Sequence, residues 1–264
     1  MSVIKKIFFR LFVYLAEFAF CLRAGDALRD KLVLLHETAW FHARHNRPGQ
    51  TLLARIKIRS LRPLLKMRRY GGDTFIFHEV LRCGVYEFPE DLLRDEARVI
   101  VDLGANIGIT ALSLAARFPQ ARLVCVEPLP ENADLLKHNM RCLETRAVVI
   151  EAAVSDRSGF IDLAIAEEHY NASLVRSSGK VLRVQAVTMD EIMNQTGITS
   201  IDVLKMDIEG AELMILEGRP RWLDRVKVLL AELHGPRQDE MCRWITEAGF
   251  QMKRDGCQIT AWRI

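Results

Sequence analysis

From Ile4 onward apolar residues fall at positions 4, 7, 8, 11, 12, 15, 18, 19 and 22, the three-and-four spacing of one helix face, with Lys6, Arg10 and Glu17 opposite. The spacing predicts an amphipathic helix with a narrow polar face. More helix is expected through roughly His45, where Pro48-Gly49 breaks the pattern. The basic stretch Arg55 to Arg69, with one proline and several leucines, reads as a short helix and a loop. Gly71-Gly72 is the expected boundary between an N-terminal helical arm, residues 1–70, and a second domain, residues 71–264.

Beyond that boundary the period changes. Thr74 to Phe77 reads as a strand, and Ala97 to Leu103 is a nearly continuous apolar run ending in glycine, as expected of a strand buried on both faces. Helices at Thr110 to Phe118 and Glu131 to Cys142 then alternate with strands at Leu123 to Val126 and Val148 to Val154. Phe160 to Ile165 and Val181 to Val187 read as a paired insertion. Asp190 to Gln195 is a short helix capped by Thr188, and Val203 to Met206 and Val226 to Leu233 are further strands. A helix at Asp239 to Ala248 precedes Phe250 to Lys253, Asp255-Gly256 and Cys257 to Trp262, a hairpin signal. The alternation predicts an α/β fold with a doubly wound parallel sheet, closed by an antiparallel hairpin.

Composition fits a packed globular chain: of 264 residues, 50% are hydrophobic and 27% charged. The net charge of +3 hides an asymmetry, since residues 1–70 carry 15 Lys+Arg against 4 Asp+Glu and the remainder 22 against 30. The basic part is suited to an anionic partner. The apolar run Ile7 to Leu22 is interrupted by Arg10 and Glu17, which disfavours both a transmembrane span and a secretory signal. Six cysteines without zinc or C-x-x-C spacing read as reduced thiols of a cytosolic protein.

Two segments carry chemistry. In Val99 to Gly108 a strand leads through a glycine turn into a helix; Gly104 would let backbone approach a ligand, and Gly108 would let the helix start against the strand. Glu127 follows Asp102 by 25 residues, at the tip of the next strand, where a carboxylate can accept both ribose hydroxyls of a nucleoside. The glycine turn alone is a weak signal. Asn106 stands where a dinucleotide fingerprint has its middle glycine, which disfavours a pyrophosphate and suits a cationic cofactor held by Asp102 and turn carbonyls. In Val203 to Glu212, Lys205, Asp207, Glu209 and Glu212 gather at a strand's carboxyl end; a capping role accounts for Glu212 and leaves Lys205, Asp207 and Glu209 as site candidates. Glu232 and His234 end the following strand, beside Asp207 if the two are neighbours.

These motifs together resemble the FkbM family of S-adenosylmethionine-dependent methyltransferases. The resemblance rests on DLGANIG, VEP at Val126 to Pro128, AVSDRSG at Ala153 to Gly159, the T-x-D-E of Thr188 to Glu191, and KMDIEGAE at Lys205 to Glu212, and covers about residues 75–264. It implies a Rossmann-like class I fold with a seven-stranded sheet, S-adenosylmethionine as donor, and a sugar or polyketide hydroxyl as acceptor. It also implies a cofactor role for Asp102, Gly104, Asn106, Gly108, Glu127 and Ala153. Tyr86 in GVYE would cover the cofactor's methionine end, and the Asn171 to Leu174 segment would meet the acceptor.

A sugar hydroxyl needs its proton removed before it attacks a sulfonium carbon. His234, Asp207 and Glu209 are the candidate bases, with Lys205 beside them. The alternative is a divalent cation such as magnesium on Asp207, Glu232 and His234, lowering the acceptor's pKa. The leading expectation is therefore an O-methyltransferase of a glycan or lipid-linked glycan. Its rivals are a nicotinamide oxidoreductase and a non-catalytic, membrane-associated binding protein. Residues 1–70 lie outside the resemblance. Either they dock on an anionic membrane, placing the protein on its cytoplasmic face, or their apolar face packs on the core or on a second subunit; nucleic acid is disfavoured by the lack of aromatics among the basic residues.

Overall fold

The computed structural model describes residues 3–43, 49–69, 71–93, 97–165, 172–173 and 181–263. They fall in two compact units, Met1–Val85 and Tyr86–Ile264.

The first unit contains α1 (Val3–Ala24), α2 (Leu28–His42), β1 (Thr51–Arg55), β2 (Leu64–Arg68) and α3 (Gly71–Leu81). The strands pair antiparallel, from Thr51 with Arg68 to Arg55 with Leu64, where a short helix and a loop were expected. The reason is an alternation: Leu52, Ala54, Ile56 and Ile58 all point inward, answered by Leu65 and Met67. The outward Leu53 and Leu64, and Pro63 between the strands, masked this period of two. Thr74 to Phe77, expected as a strand, lies within α3. Its Thr74, Phe77 and His78 are buried at helical spacing, and buried Asp73 accepts the Arg68 backbone N–H at 2.8 Å and pairs with its guanidinium. Packing overrides the strand preference of Thr-Phe-Ile-Phe. Gly71 thus opens a helix of the first unit, which ends at Val85 rather than at residue 70. The region is not a helical arm but an α/β unit with its own core, including Leu34, Ile56, Leu65, Met67 and Phe77.

Helix α1 forms as predicted, but with a reversal. Glu17, Cys21 and Ala24 are its buried side, and Glu17 is bonded to His42 and lies 3.7 Å from Arg82. Phe8, Leu11, Phe12, Leu15 and Leu22 face outward. No described helix is long and apolar enough to cross a membrane.

The second unit runs β3 (Val99–Leu103), α4 (Ile109–Arg117), β4 (Arg122–Val126), α5 (Pro130–Asn139), β5 (Ala147–Ile150), β6 (Ala153–Val154), β7 (Gly159–Ile165), β8 (Ala172–Ser173), β9 (Val181–Val187), α6 (Met189–Thr196), β10 (Ile201–Met206), α7 (Glu212–Leu216), β11 (Val226–Glu232), α8 (Gln238–Glu247), β12 (Gln251–Asp255) and β13 (Gln258–Trp262). The main sheet has the order β12-β13-β11-β10-β3-β4-β5. β11 through β5 are parallel, and β13 joins antiparallel to both β11 and β12. This is the expected class I methyltransferase fold with its terminal hairpin. Every residue of β10 is buried, as a strand covered on both faces requires. The expected strand Val148 to Val154 is two: its ladder with β4 ends at Ile150, and Ala153 and Val154 pair instead with β9, in the insertion sheet β6-β9-β7-β8. Thr188 caps α6 through the reciprocal bonds with Glu191. Of the Asn171 to Leu174 segment, Asn171 and Leu174 lie outside the described residues.

Candidate active site

β3 and β10 are adjacent, with Asp102 paired to Lys205, and the order of the parallel strands reverses between them. Ligands of open α/β sheets bind in the crevice at the carboxyl ends of the strands at such a reversal. The turn after β3 runs through Gly104 at φ +71°, Asn106 at φ +50° and Gly108 at φ +89°. A Cβ on Gly104 would sit 1.8 Å from the Asp207 carbonyl oxygen, and one on Gly108 within 3 Å of Leu136 and Met140 side-chain atoms. The first glycine therefore seats one strand end against the next, and the second seats the helix start on α5. Sequence reasoning located both glycines but expected a ligand, not the Asp207 carbonyl, to be what approaches Gly104.

Three buried charges hold this turn. Lys205 donates to the carbonyls of Gly104 at 2.7 Å and Leu103 at 3.4 Å, and its Nζ lies 3.2 Å from Asp102 Oδ1 and 3.8 Å from Asp207. Burial opposes its charge, yet Asp102 and Asp207 outweigh burial and raise its pKa, so it remains an ammonium. Asp102 is fully buried, and beyond its ion pair with Lys205 neither of its oxygens has a donor among the described residues. Glu127 is also buried: it accepts from the backbone N–H of Asn106 at 2.8 Å and of Leu129 at 3.1 Å, and from Asn132 Nδ2 at 3.0 Å. A carboxylate offers about four acceptor positions, so part of the capacity expected for ribose hydroxyls is used within the protein. The Asp102 carboxylate, buried beside a glycine turn with Lys205 as its counter-ion, has acceptor positions left over that fit a cofactor bearing a cation or N–H groups. Ala153 lies in β6, paired with Ala186, and takes part in none of these bonds.

Tyr86 Oη donates to Asp207 Oδ2 at 2.9 Å; burial and the Asp207 charge raise the phenol's pKa and keep it a donor. The structure thus ties Tyr86 to the second cluster. There, Glu212 is fully buried and accepts from the backbone N–H groups of Ile208 and Gly210, both at 2.9 Å, and from His234 Nδ1 at 3.0 Å. It folds the turn ahead of its own helix and orients the imidazole, a role the capping reading missed. With Nδ1 so engaged, His234 Nε2 faces Glu209 at 3.7 Å, Glu232 at 3.8 Å and Asp207 at 4.0 Å. Burial works against charge on His234, but the Glu212 hydrogen bond and the surrounding carboxylates overcome it and raise its pKa to about 9. Burial and then Asp207 raise Glu209 to about 7. Glu209 also holds φ +52°, uncommon for a residue with a side chain. The Glu-Gly pair after a strand was the signal available for such a turn. Asp207, Glu232 and His234 each offer a ligand atom, all within 4.8 Å of one another. A further member, Cys257, donates its thiol to Glu232 at 3.5 Å. It comes from the β12–β13 turn, and nothing in its spacing announces it.

Comparison with known proteins identifies the family. The "Methyltransferase FkbM domain" family matches residues 102–252, more than half of the chain and all of both clusters except Tyr86 and Cys257. The chain is 29% identical to the 2-O-methyltransferase NoeI of Sinorhizobium fredii, over 53% of this chain and 65% of that protein. It is 24% identical to the hexuronic acid methyltransferase AglP of Haloferax volcanii, over 74% of this chain and 77% of the other. With the 31-O-demethyl-FK506 methyltransferase FkbM of Streptomyces tacrolimicus it shares 25% identity over 62% and 75%. The chain belongs to the FkbM methyltransferase family, and is an S-adenosylmethionine-dependent methyltransferase rather than a nicotinamide oxidoreductase or a non-catalytic binding protein.

Proposed function

We propose that the acceptor is a sugar hydroxyl, carried on a glycan or lipid-linked glycan, and that Glu209 removes its proton. The observation that carries the mechanism is the half-exposed cluster of Asp207, Glu209, Glu232 and His234 beside the closed turn of Asp102 and Gly104. Bound S-adenosylmethionine supplies an electrophilic methyl group. Asp102 and the Gly104 turn would hold its charged end, and Glu127 its ribose through the acceptor positions left over. Glu209, its pKa raised to about 7 by burial and by Asp207, can accept a proton at neutral pH. His234 is already protonated at that pH and balances the cluster's negative charge. The sugar assignment is supported by the similarity to AglP, a hexuronic acid methyltransferase, and transfer to oxygen by the similarity to NoeI, a 2-O-methyltransferase. A lipid-linked acceptor would keep the protein at the cytoplasmic face of a membrane.

A second reading is favoured by the convergence of Asp207, Glu232 and His234. These are two hard oxygen donors and an imidazole whose other nitrogen is fixed by a carboxylate, the support usual for a metal-ligating histidine. A magnesium ion there would lower the acceptor's pKa directly.

The test is incubation of the protein with radiolabelled S-adenosylmethionine and a cell lysate, with and without chelator. Label in lipid-extractable glycan or soluble sugar supports the acceptor class, and label in RNA or protein overturns it. Loss of transfer in chelator, restored by magnesium, selects the cation reading over Glu209 acting alone.

A further inference from the structure

We propose that the first unit docks on an anionic lipid surface through the outer side of α1. Phe8, Leu11, Phe12 and Leu15 are 68, 51, 70 and 59% exposed. Together with Leu22 they form one stripe at helical spacing, and such a stripe normally faces a core. Here the opposite side is packed, fixed by the contacts of buried Glu17 with His42 and Arg82. A contiguous exposed apolar stripe marks a binding surface.

Charge identifies the occupant. Residues 1–85 hold 16 Lys+Arg and 6 Asp+Glu. Of those acids Glu17, Asp30, Glu37 and Asp73 are buried, Asp26 and Glu79 are half-buried, and none is exposed. Asp30 holds the backbone N–H groups of Ala27 and Arg55, while Glu37 and Asp73 pair with Arg69 and Arg68. The unit thus turns its acids inward and leaves Arg23, Arg29 and Arg59 exposed, while Arg62, also exposed, lies 3.6 Å from Asp26. Phenylalanine and leucine entering the headgroup region, with arginines meeting anionic lipid, is the recognition such a surface supports. A second copy would set the same positive surface against itself. Nucleic acid offers nothing for Leu11 and Leu15 to enter. The proposal is independent of the sugar assignment.

The test uses the full chain, because a truncation at Gly71 would cut off the first unit at the start of α3. Wild type and a Phe12→Ser/Leu15→Ser variant are sedimented with phosphatidylcholine vesicles and with equimolar phosphatidylcholine–phosphatidylglycerol vesicles. Both substitutions are at exposed positions, and an unchanged melting temperature and unchanged S-adenosylhomocysteine affinity confirm that the variant is folded. The expected result is at least tenfold stronger partitioning of wild type to the anionic vesicles than to the neutral ones, and at least a tenfold loss in the variant. Recovery of wild type in the supernatant with both vesicles overturns the proposal, as does equal binding by the variant. A wild-type dimer that the variant dissolves, with no vesicle binding, assigns the stripe to a second copy; retention on single-stranded RNA alone overturns it as well.

Discussion

The turns that follow β3 and β10 begin side by side and differ in almost every physical respect. The first is dry. Asp102, Lys205 and Glu127 are buried, and their charges face one another or backbone groups. The second is half-open, with His234 and Glu209 each 27% exposed and more carboxylates than cations. Left-handed backbone falls on Gly104, Asn106 and Gly108 in the first turn, residue types that adopt it readily, but in the second on Glu209 as well as on Gly210. Strain of this kind costs about 1 to 3 kcal/mol and collects at functional sites. One strand end is built to be rigid and the other to titrate. On the function proposed above, cofactor-side and acceptor-side chemistry would be separated by a single step across the sheet, from β3 to β10.

Breaking the rigid side is expected to have the largest effect. Gly104→Val would put a β-branched side chain at φ +71° and into the Asp207 carbonyl, so both turns would move together. Loss of more than about 3 kcal/mol is expected, seen as a collapsed urea midpoint and no S-adenosylhomocysteine binding by calorimetry. A folded variant with wild-type affinity would show that the two turns are not seated on each other. Next comes Lys205→Met, which strands the Asp102 carboxylate and leaves the Gly104 carbonyl without its donor. Removing one partner of a buried pair costs about 3 to 5 kcal/mol. Adding Asp102→Asn to that variant is expected to recover much of the loss; strict additivity in urea melts would rule out the pairing.

The dry turn was the more legible of the two in the sequence. An apolar strand, a glycine turn and an acid at the next strand tip are local, and Asp102, Gly104, Gly108 and Glu127 all occupy the expected elements. What the sequence could not carry was the donor that the Asn106 backbone brings to Glu127 from the neighbouring turn, or the approach of Asp207 to Gly104 across 103 residues. The second cluster was legible as composition but not as roles. Glu212 looked like a cap because its bond to His234 spans two elements. The first unit was least legible, since an outward Leu53 hid a strand period and a buried Glu17 inverted a helix whose polar side seemed plain. In each case a long-range partner, rather than local preference, decided the outcome.

On the titrating side, Glu209→Gln is expected to lower kcat by about 10²- to 10⁴-fold with little change in cofactor affinity, as for loss of a general base. Wild-type kcat should rise with pH through about 7, following deprotonation of Glu209. A limb well below that value, moving with added magnesium, would transfer the proton chemistry to a bound cation. Retained turnover in the glutamine variant would remove Glu209 from the mechanism.

The smallest effect expected concerns stability and tests whether His234 is charged. Its folded pKa of about 9 lies above the ordinary value of 6.5. Below 6.5 both folded and unfolded chains carry the proton and the stabilisation is fully present. Between 6.5 and 9 the folded chain holds a proton that the unfolded chain has released, so stability falls as pH rises, and above 9 the contribution is gone. Because the ring is partly exposed and salt screens the cluster, the loss is expected to be on the order of 1 to 2 kcal/mol. Glu209, raised to about 7 from 4.5, produces a slope of the same sign in a lower window. The measurement is therefore made by urea melts across pH 6.5 to 9.5 in a Glu209→Gln background, without divalent cations. His234→Gln should flatten the slope, whereas His234→Gln with an undiminished slope would mean that the imidazole is neutral at pH 7. Saturating magnesium offers the sharper comparison. An ion on His234 Nε2 must displace the proton, so it would flatten the slope in the background protein and leave the His234→Gln variant unchanged.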